Sequence, residues 1–375
     1  MLGNFHTLYL ETTRRCNYSC DNCSSGSHLK NFPWGTELSY NEIVNRILIP
    51  AYKIGTVNIE FSGGEFLLRK DAFKILKEAT RIGFKISIVS NGSTLNDKTI
   101  KNLKKLLGEN LFISLGINSF NNDDNNKTRN VETDSVLGLI TKLEKENISV
   151  NICVSAGAHT AKSFAETIQK IRELKLPFNR IPFTPRHSES KQLMFDKEML
   201  KTLIHPALRK DFHGYVSYIP FFLPEEIYTC ETGQSKRNSS VPTNPSVGCW
   251  CGSFYSITPE GEVTPCPLLG DHISGGNIRT KALDEILFHS DLFKRIVDRN
   301  SFGGKCGKCK YLFTCGGCRT MAYFQTGNLF GEDPTCFIED LSDSELSDIE
   351  KETIKNFKNY VRMTKFGGLS GMDPL

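Results

Sequence analysis

Cys16-Asn17-Tyr18-Ser19-Cys20-Asp21-Asn22-Cys23 sets three thiols within eight residues, directly after the apolar run Leu8-Tyr9-Leu10. A thiolate bonds one iron, and a short loop can wrap a cubane iron–sulfur cluster, so three cysteines hold three corners and leave the fourth iron without a protein ligand. An open corner is a place for chemistry, whereas a full set of protein ligands closes a site, as in catalytic against structural zinc. Zinc is the alternative; it would need a fourth ligand, for which His28 is near. Simple packing of small residues is disfavoured by the polar flanks Arg14, Arg15, Asn17, Asp21 and Asn22.

Working outward, the 375 residues are enough for one large core and a smaller one. The 39% hydrophobic and 23% charged content is that of an ordinary globular protein, and a net charge of +4 predicts neither nucleic-acid nor membrane binding. No stretch reaches the roughly 18 apolar residues of a membrane span. The start MLGNFHTLYLETT lacks the regions of a signal peptide, which implies a cytoplasmic protein. Thirteen cysteines, an odd number gathered in short C-x2-C units, suit metal binding in a reducing compartment better than disulfides.

From about residue 6 to residue 185 strand-like and helix-like segments alternate. Strands are expected at Thr7–Leu10, Val57–Phe61, Lys85–Val89, Leu111–Leu115, Ser149–Val154 and Arg180–Phe183, with amphipathic helices at Glu42–Tyr52, Asp71–Arg81, Asp97–Leu107, Val136–Glu146 and Ala161–Leu174. This is an α/β pattern with a parallel sheet. Six strands cannot close an eight-stranded barrel, so an open, partial (β/α)6 TIM-like barrel is expected, with its sites at the carboxyl ends of the strands. The polar run from Asn121 to Lys127 reads as a flexible loop, and Cys153 as core.

Polar motifs stand at several strand ends. Gly63-Gly64-Glu65 follows the second: the glycines allow close backbone approach, and the acid can accept hydrogen bonds from an ammonium group. Ser90-Asn91-Gly92 follows the third, Ser114 and Gly116 the fourth, and Arg129 comes later. Pro182, Pro185, Arg186 and His187 close the sixth unit. A helix near Asp196–Lys210, an aromatic stretch Tyr215–Tyr228 and the linker-like Glu231–Ser246 then lead to a second cysteine field. There Phe254–Thr258 and Glu262–Thr264 read as a β-hairpin that brings Cys251 and Cys266 together at its base. A helix over Ala282–Asp298 is expected next, then Cys306, Cys309, Cys315, Cys318 and Cys336, and finally an amphipathic helix over Asp340–Met363. The domain division expected is 1–187, 188–246, 247–340 and 341–375.

The C-x3-C-x2-C loop after the first strand, with Gly63-Gly64-Glu65 after the second, resembles the radical S-adenosylmethionine (SAM) enzymes. The resemblance implies a cluster on Cys16, Cys20 and Cys23 whose open iron chelates the amino and carboxylate groups of SAM, and an electron that cleaves it to methionine and a 5′-deoxyadenosyl radical. It implies that Gly63, Gly64 and Glu65 meet the SAM amino group, Ser90, Asn91 and Ser114 the ribose region, and Arg129 the carboxylate. Phe66 stands where the family usually has proline, Gly116 where many relatives have an acid, and Asn22 where an aromatic is common.

The downstream run, C-x2-C-x5-C-x2-C from Cys306 and then Cys336, is similar to the SPASM extension of that family, whose last pair is more often spaced by three residues. The resemblance implies two auxiliary [4Fe-4S] clusters, hence three in all. The first takes Cys251, Cys266 and Cys318 with Cys249 as fourth ligand and Cys230 as its rival; the second takes Cys306, Cys309, Cys315 and Cys336. A zinc ribbon is the competing reading of the paired cysteines.

What the resemblance implies for function is a radical SAM oxidoreductase that abstracts hydrogen from a ribosomally made peptide, giving oxidation or crosslinking. The alternative is a small-molecule dehydrogenase or epimerase acting on a sugar or cofactor precursor; a non-catalytic iron–sulfur carrier is the reading from another class. The partners implied are the substrate, an electron donor such as flavodoxin or ferredoxin, and a separate leader-peptide-binding protein, with no nucleic acid and no membrane. His187 and Glu189 are candidates by position for handling a substrate proton.

Overall fold

The computed structural model describes residues 5–20, 22–23, 25–27, 35–108, 111–185, 188–209, 219–232 and 247–365. His28, Arg186, His187, the side chain of Glu189 and residues 233–246 lie outside the described part. The fold is α/β, with the strand–helix repeats of a partial (β/α)6 barrel followed by a cysteine-rich segment with a hairpin and helices.

The strands are β1 (Thr7–Glu11), β2 (Asn58–Ser62), β3 (Lys85–Ser90), β4 (Leu111–Ile117), β5 (Ser149–Ala156), β6 (Phe178–Pro182), β7 (Phe254–Ile257), β8 (Glu262–Thr264) and β9 (Gly276–Asn277). Each of the first six overlaps its expected range. Alternation decides which side chains face the helices: Leu8 and Leu10 on β1 and Ile59 and Phe61 on β2 are fully buried, and the Phe61 ring stacks on Phe66 at 4.9 Å. Each such burial contributes roughly 1.5–3 kcal/mol. Thr7, Tyr9 and Glu11, with Asn58, Glu60 and Ser62, point to the other face.

The helices follow the same logic. Ala72–Ile82 buries Ala72, Ile75, Leu76 and Ala79, one stripe at helical spacing, and ends at Gly83, whose φ of +113° lets its N–H reach Ala79 O. Asn96 caps Asp97–Leu107 by accepting from Thr99 N at 3.0 Å, and Ile100, Leu103 and Leu107 face inward.

Two expectations need correction. The run expected to be a loop forms a helix, Asn122–Arg129, because Asn121 caps it, Asp123 and Asp124 occupy its first turn, Lys127 and Arg129 its last, and Asn130 closes it in the left-handed region. The helix expected over 282–298 is two, Leu283–His289 and Asp291–Val297, parted at Ser290, whose backbone is extended and whose hydroxyl accepts from Phe293 N at 3.3 Å.

Two compact units share the chain: Met1–Val154 with Phe254–Lys294, and Ser155–Ser253 with Arg295–Leu375. In the first the strand order is β5-β4-β3-β2-β1-β7-β8-β9. β1 to β5 run parallel to one another, β7 pairs parallel with β1, and β8 and β9 return antiparallel. The expected hairpin is present, and β7 also pairs with β1, Thr7 opposite Phe254 and Leu10 opposite Ile257. The cysteine-field hairpin thus extends the barrel sheet on the side of β1 away from β2. The second unit holds β6 and the helices Phe164–Glu173, Glu225–Thr232, Arg319–Thr326 and Asp343–Lys365. Among the described residues no helix is long and apolar enough to cross a membrane.

Candidate active site

The cysteine loop leaves the carboxyl end of β1 and is tied down before it reaches its first thiol. Thr12 N donates to Ser62 O at 2.9 Å, and the Glu37 carboxylate accepts from Thr13 Oγ1 at 2.7 Å and Arg14 N at 2.8 Å. The buried Arg14 guanidinium donates to Ser25 O at 3.1 Å, to Glu260 and to Asp271. Ser25 Oγ in turn donates to Gly63 O at 2.8 Å, so the far side of the loop meets the glycine pair.

Cys16, Cys20 and Cys23 keep partial solvent access. Burial pushes the Cys20 thiol up to about 11, with Cys23 and Cys16 adding to the rise and Arg129 opposing it. Burial likewise raises Cys16, and Cys23 adds to it. A coordinated cation would remove the penalty on ionising Cys16 and Cys20, so the raised thiols suit a metal centre.

Gly63 and Gly64 are required by contact. A Cβ on Gly63, whose φ is +134°, would stand 2.4 Å from Thr13 O, and one on Gly64 2.2 Å from Arg15 O. The approach is used: Gly64 N donates to Thr13 O at 2.7 Å and Glu65 N to Arg15 O at 2.8 Å. The Glu65 carboxylate is fully buried and accepts from Ser90 Oγ at 3.0 Å, Asn91 N at 2.9 Å and Thr94 Oγ1 at 3.1 Å. Burial raises its pKa, and these donors hold the rise back. Asn91 then reaches the loop, its Nδ2 lying 3.5 Å from Cys16 Sγ and 3.1 Å from Asn17 Oδ1. Structure therefore brings Gly63, Gly64, Glu65, Ser90, Asn91 and Cys16 together.

Ser114 and Gly116 share the inner face of β4 one rung apart. Ser114 Oγ accepts from Asn151 Nδ2 at 3.4 Å, a contact deeper in the sheet. Gly116 makes room for Arg129: a Cβ there would stand 3.0 Å from Arg129 Nη1. That guanidinium opposes the rise that burial gives Cys20 and Tyr18. Asn22 forms a reciprocal amide pair with Asn118, at 3.0 and 2.9 Å, and both are buried. Asn118, Thr94 and the full reach of Arg14 escaped the sequence reading; the signal for Asn118 was a polar residue immediately after the apolar β4.

Within the second unit the cysteines fall into two groups. The Cys249 thiol is pulled down, first by its hydrogen bond with Cys251, with Arg319 and Arg299 adding to this against burial. Cys318 is pushed up by burial, and Cys249 contributes. Cys266 stands just after β8 in the first unit. Cys230 is exposed on the helix Glu225–Thr232.

Cys306, Cys309, Cys315 and Cys336 line one cavity, together with Pro220, Phe222 and Ile338. Backbone N–H groups point at its sulfurs: Asp333 N to Cys306 at 3.3 Å, Tyr311 N to Cys309 at 3.5 Å and Phe221 N to Cys315 at 3.3 Å. Donors of this kind tune iron–sulfur clusters. Arg299 and Arg319 are buried beside these thiols, Arg319 Nη2 lying 3.7 Å from Cys306 Sγ, and among the described residues neither meets a carboxylate. A buried cation needs an anionic partner, and a thiolate-ligated cluster is one. None of the thirteen cysteines is in a disulfide.

Residues 10–196 match the Radical SAM superfamily, and residues 249–319 match the iron-sulfur cluster-binding domain SPASM. The chain belongs to the radical SAM superfamily, in its SPASM-bearing form. This radical SAM protein is similar to the AdoMet-dependent heme synthase of Methanosarcina barkeri, 26% identical over 337 residues that cover 87% of this chain and 94% of that one. It is similar to the PqqA peptide cyclase of Rhodopseudomonas palustris, 23% identical with 96% and 94% covered. Among solved structures it resembles anSMEcpe with bound AdoMet and the Cp18Cys peptide, at a TM-score of 0.67 and 19% identity, with 94% of this chain and 99% of that one covered.

This radical SAM chain is an enzyme whose cofactors are [4Fe-4S] clusters, SAM-binding and auxiliary, together with SAM. When bound, the clusters would supply the low-potential electron for SAM cleavage and auxiliary sites for electron transfer. The chain's own residues fix the thiols, hold the two glycines against the loop and set Arg129 beside Cys20.

Proposed function

We propose that Cys16, Cys20 and Cys23 hold the SAM-binding cluster, that Gly63, Gly64 and Glu65 with Ser90, Asn91 and Ser114 line the SAM site, and that Arg129 meets the SAM carboxylate. Cys249, Cys251, Cys266 and Cys318 are proposed for one auxiliary cluster, and Cys306, Cys309, Cys315 and Cys336 for the other. The exposure of Cys230 on its helix favours Cys249 as the fourth ligand of the first. Three cubanes carry about twelve irons per chain.

The reaction proposed is hydrogen abstraction from a peptide, followed by loss of an electron from the substrate radical to an auxiliary cluster, giving oxidation or crosslinking. The observation that carries the oxidative outcome is the cavity lined by four thiols, three of which accept backbone N–H groups, with buried guanidiniums beside it. Similarity to the PqqA peptide cyclase over nearly the whole chain supports a peptide as the substrate. Thirteen thiols outside disulfides suit a cytoplasmic setting, with a flavodoxin or ferredoxin as reductant and a separate protein presenting the leader.

The test is anaerobic incubation of reconstituted enzyme with SAM, dithionite and the short peptides encoded beside its gene, read by mass spectrometry. A peptide mass lowered by pairs of hydrogens is expected; 5′-deoxyadenosine with every peptide unmodified would sink the reading. A second reading, oxidation of a small molecule, is favoured by the similarity to the heme synthase, and unmodified peptides alongside a modified tetrapyrrole would establish it.

A further inference from the structure

Parallel register aligns one row of side chains on the inner face of the sheet. Ser256 on β7 stands opposite Tyr9 on β1, Tyr9 opposite Glu60 on β2, and Glu60 opposite Ser87 on β3. Ser62 and then Gly63 follow Glu60 along β2, so the row lies roughly 7 Å below the strand end that leads into the glycine pair. It forms a floor under the proposed SAM site.

Three members of this row lack the partners that buried polar groups normally have. Among the described residues Ser87 Oγ and Ser256 Oγ have no hydrogen-bond partner, although the residues are only 6% and 1% exposed. Among the described residues the Glu60 carboxyl makes no hydrogen bond and no ion pair, and the residue keeps partial solvent access. Burial alone pushes that carboxyl up to about 7.

The charged and titratable groups around it offer nothing better. Tyr9 is engaged with Ser62, its hydroxyl 2.6 Å from Ser62 Oγ, and Glu11, one rung above, lies 3.6 Å from Arg14. Cys153 on β5 is raised first by burial and then by Glu60, with Ser114 and Arg129 opposing. Lys85, one rung below on β3, is exposed at the start of its strand, and Arg129 is directed at Cys20 and Tyr18.

We propose that Glu60 is a substrate-recognition carboxylate that takes a cationic nitrogen of the substrate, a primary ammonium or a guanidinium, with Ser87 on the adjoining strand accepting one of its remaining N–H groups. An ammonium has three donors and no acceptor, and Glu60 with Ser87 offers a carboxylate and an unengaged hydroxyl on adjoining strands. An anionic group would instead meet like charge in a poorly solvated place. The inference deepens the proposed function and rests on it: for a peptide, the group is a lysine or arginine side chain near the reacting carbon.

The test uses the reconstituted holoenzyme with SAM and dithionite, and four hexapeptide pools identical apart from a fixed lysine, arginine, norleucine or glutamate. The readout is 5′-deoxyadenosine above the rate without peptide. Lysine or arginine pools should stimulate at least about tenfold more than the other two, and Glu60→Gln should remove that preference while Glu60→Asp keeps part of it, with iron and sulfide content checked for each variant. Equal stimulation by norleucine or glutamate pools overturns the proposal without any variant, and so does a preference that survives Glu60→Gln. If no pool stimulates, agmatine and cadaverine are compared with pentanol: stimulation by the amines alone retains Glu60 and removes the peptide reading, and none by any of them overturns the proposal. Absence of 5′-deoxyadenosine even without added substrate marks a failure of the SAM-cleavage reading instead.

Discussion

Arg14 donates to both carboxylate oxygens of Glu260, through Nε at 3.2 Å and Nη2 at 2.8 Å, joining residues 246 positions apart in the chain. Nη2 also reaches Asp271 at 2.7 Å. The cysteine loop is thereby fixed to the turn of the hairpin whose first strand extends the sheet beside β1. Arg14→Lys keeps the charge but cannot reproduce the fork, leaving a carboxylate poorly paired in a buried place. A loss of about 2–4 kcal/mol is expected in chemical denaturation, with less iron retained after anaerobic reconstitution. Unchanged stability and iron content would count against this coupling.

Gly64→Ala should be far more damaging than its size suggests. The added carbon would stand 2.2 Å from a backbone oxygen of the cysteine loop, which cannot swing aside as a side chain can. The control is Gly55→Ala, whose added carbon meets nothing within 4 Å and costs only the strain of a φ of +96°, roughly 1–2 kcal/mol. Absorbance of the reconstituted cluster should drop in the first variant and stay intact in the second.

Gly116 and Arg129 give a graded test of the SAM site. Arg129→Met removes the cation proposed for the SAM carboxylate and should weaken SAM binding by about tenfold or more in equilibrium dialysis. Gly116→Ala crowds the same guanidinium at 3.0 Å and should weaken it less. If Arg129→Met binds SAM normally, Arg129 serves only the loop.

Much of this was legible in the sequence because it depended on local order. Alternating strands and helices, the cysteine spacings and the glycine pair all announce themselves within a few residues. Pairings between distant segments did not. Asn22 read as a missing aromatic, whereas it answers Asn118, 96 residues away. Gly116 read as a missing acid, whereas its bare Cα admits Arg129. The polar run 121–127 read as a loop because its composition carries no apolar stripe; its caps and end charges make it a helix. Glu60 was hidden as one polar residue in an alternating strand, and only the register with Tyr9 and Ser87 singles it out.

The carboxyl of Glu60 also leaves a signature in stability. Its folded-state pKa, about 7, lies above the ordinary value of 4.5, so stability present in acid is lost as pH rises from 4.5 through about 7. Glu60→Gln has no such loss and should gain on the wild type by on the order of 1–3 kcal/mol between pH 5 and pH 8. Denaturant melts at the two pH values check this; parallel curves for variant and wild type would contradict it.

The central claim is a SAM-binding cluster held by Cys16, Cys20 and Cys23 with one iron open to SAM. Its most direct measurement is 5′-deoxyadenosine released from SAM under dithionite, comparing the anaerobically reconstituted wild type with Cys20→Ala. The account predicts steady release by the wild type and none above background from Cys20→Ala, with the auxiliary iron still bound. Undiminished release by Cys20→Ala would contradict it.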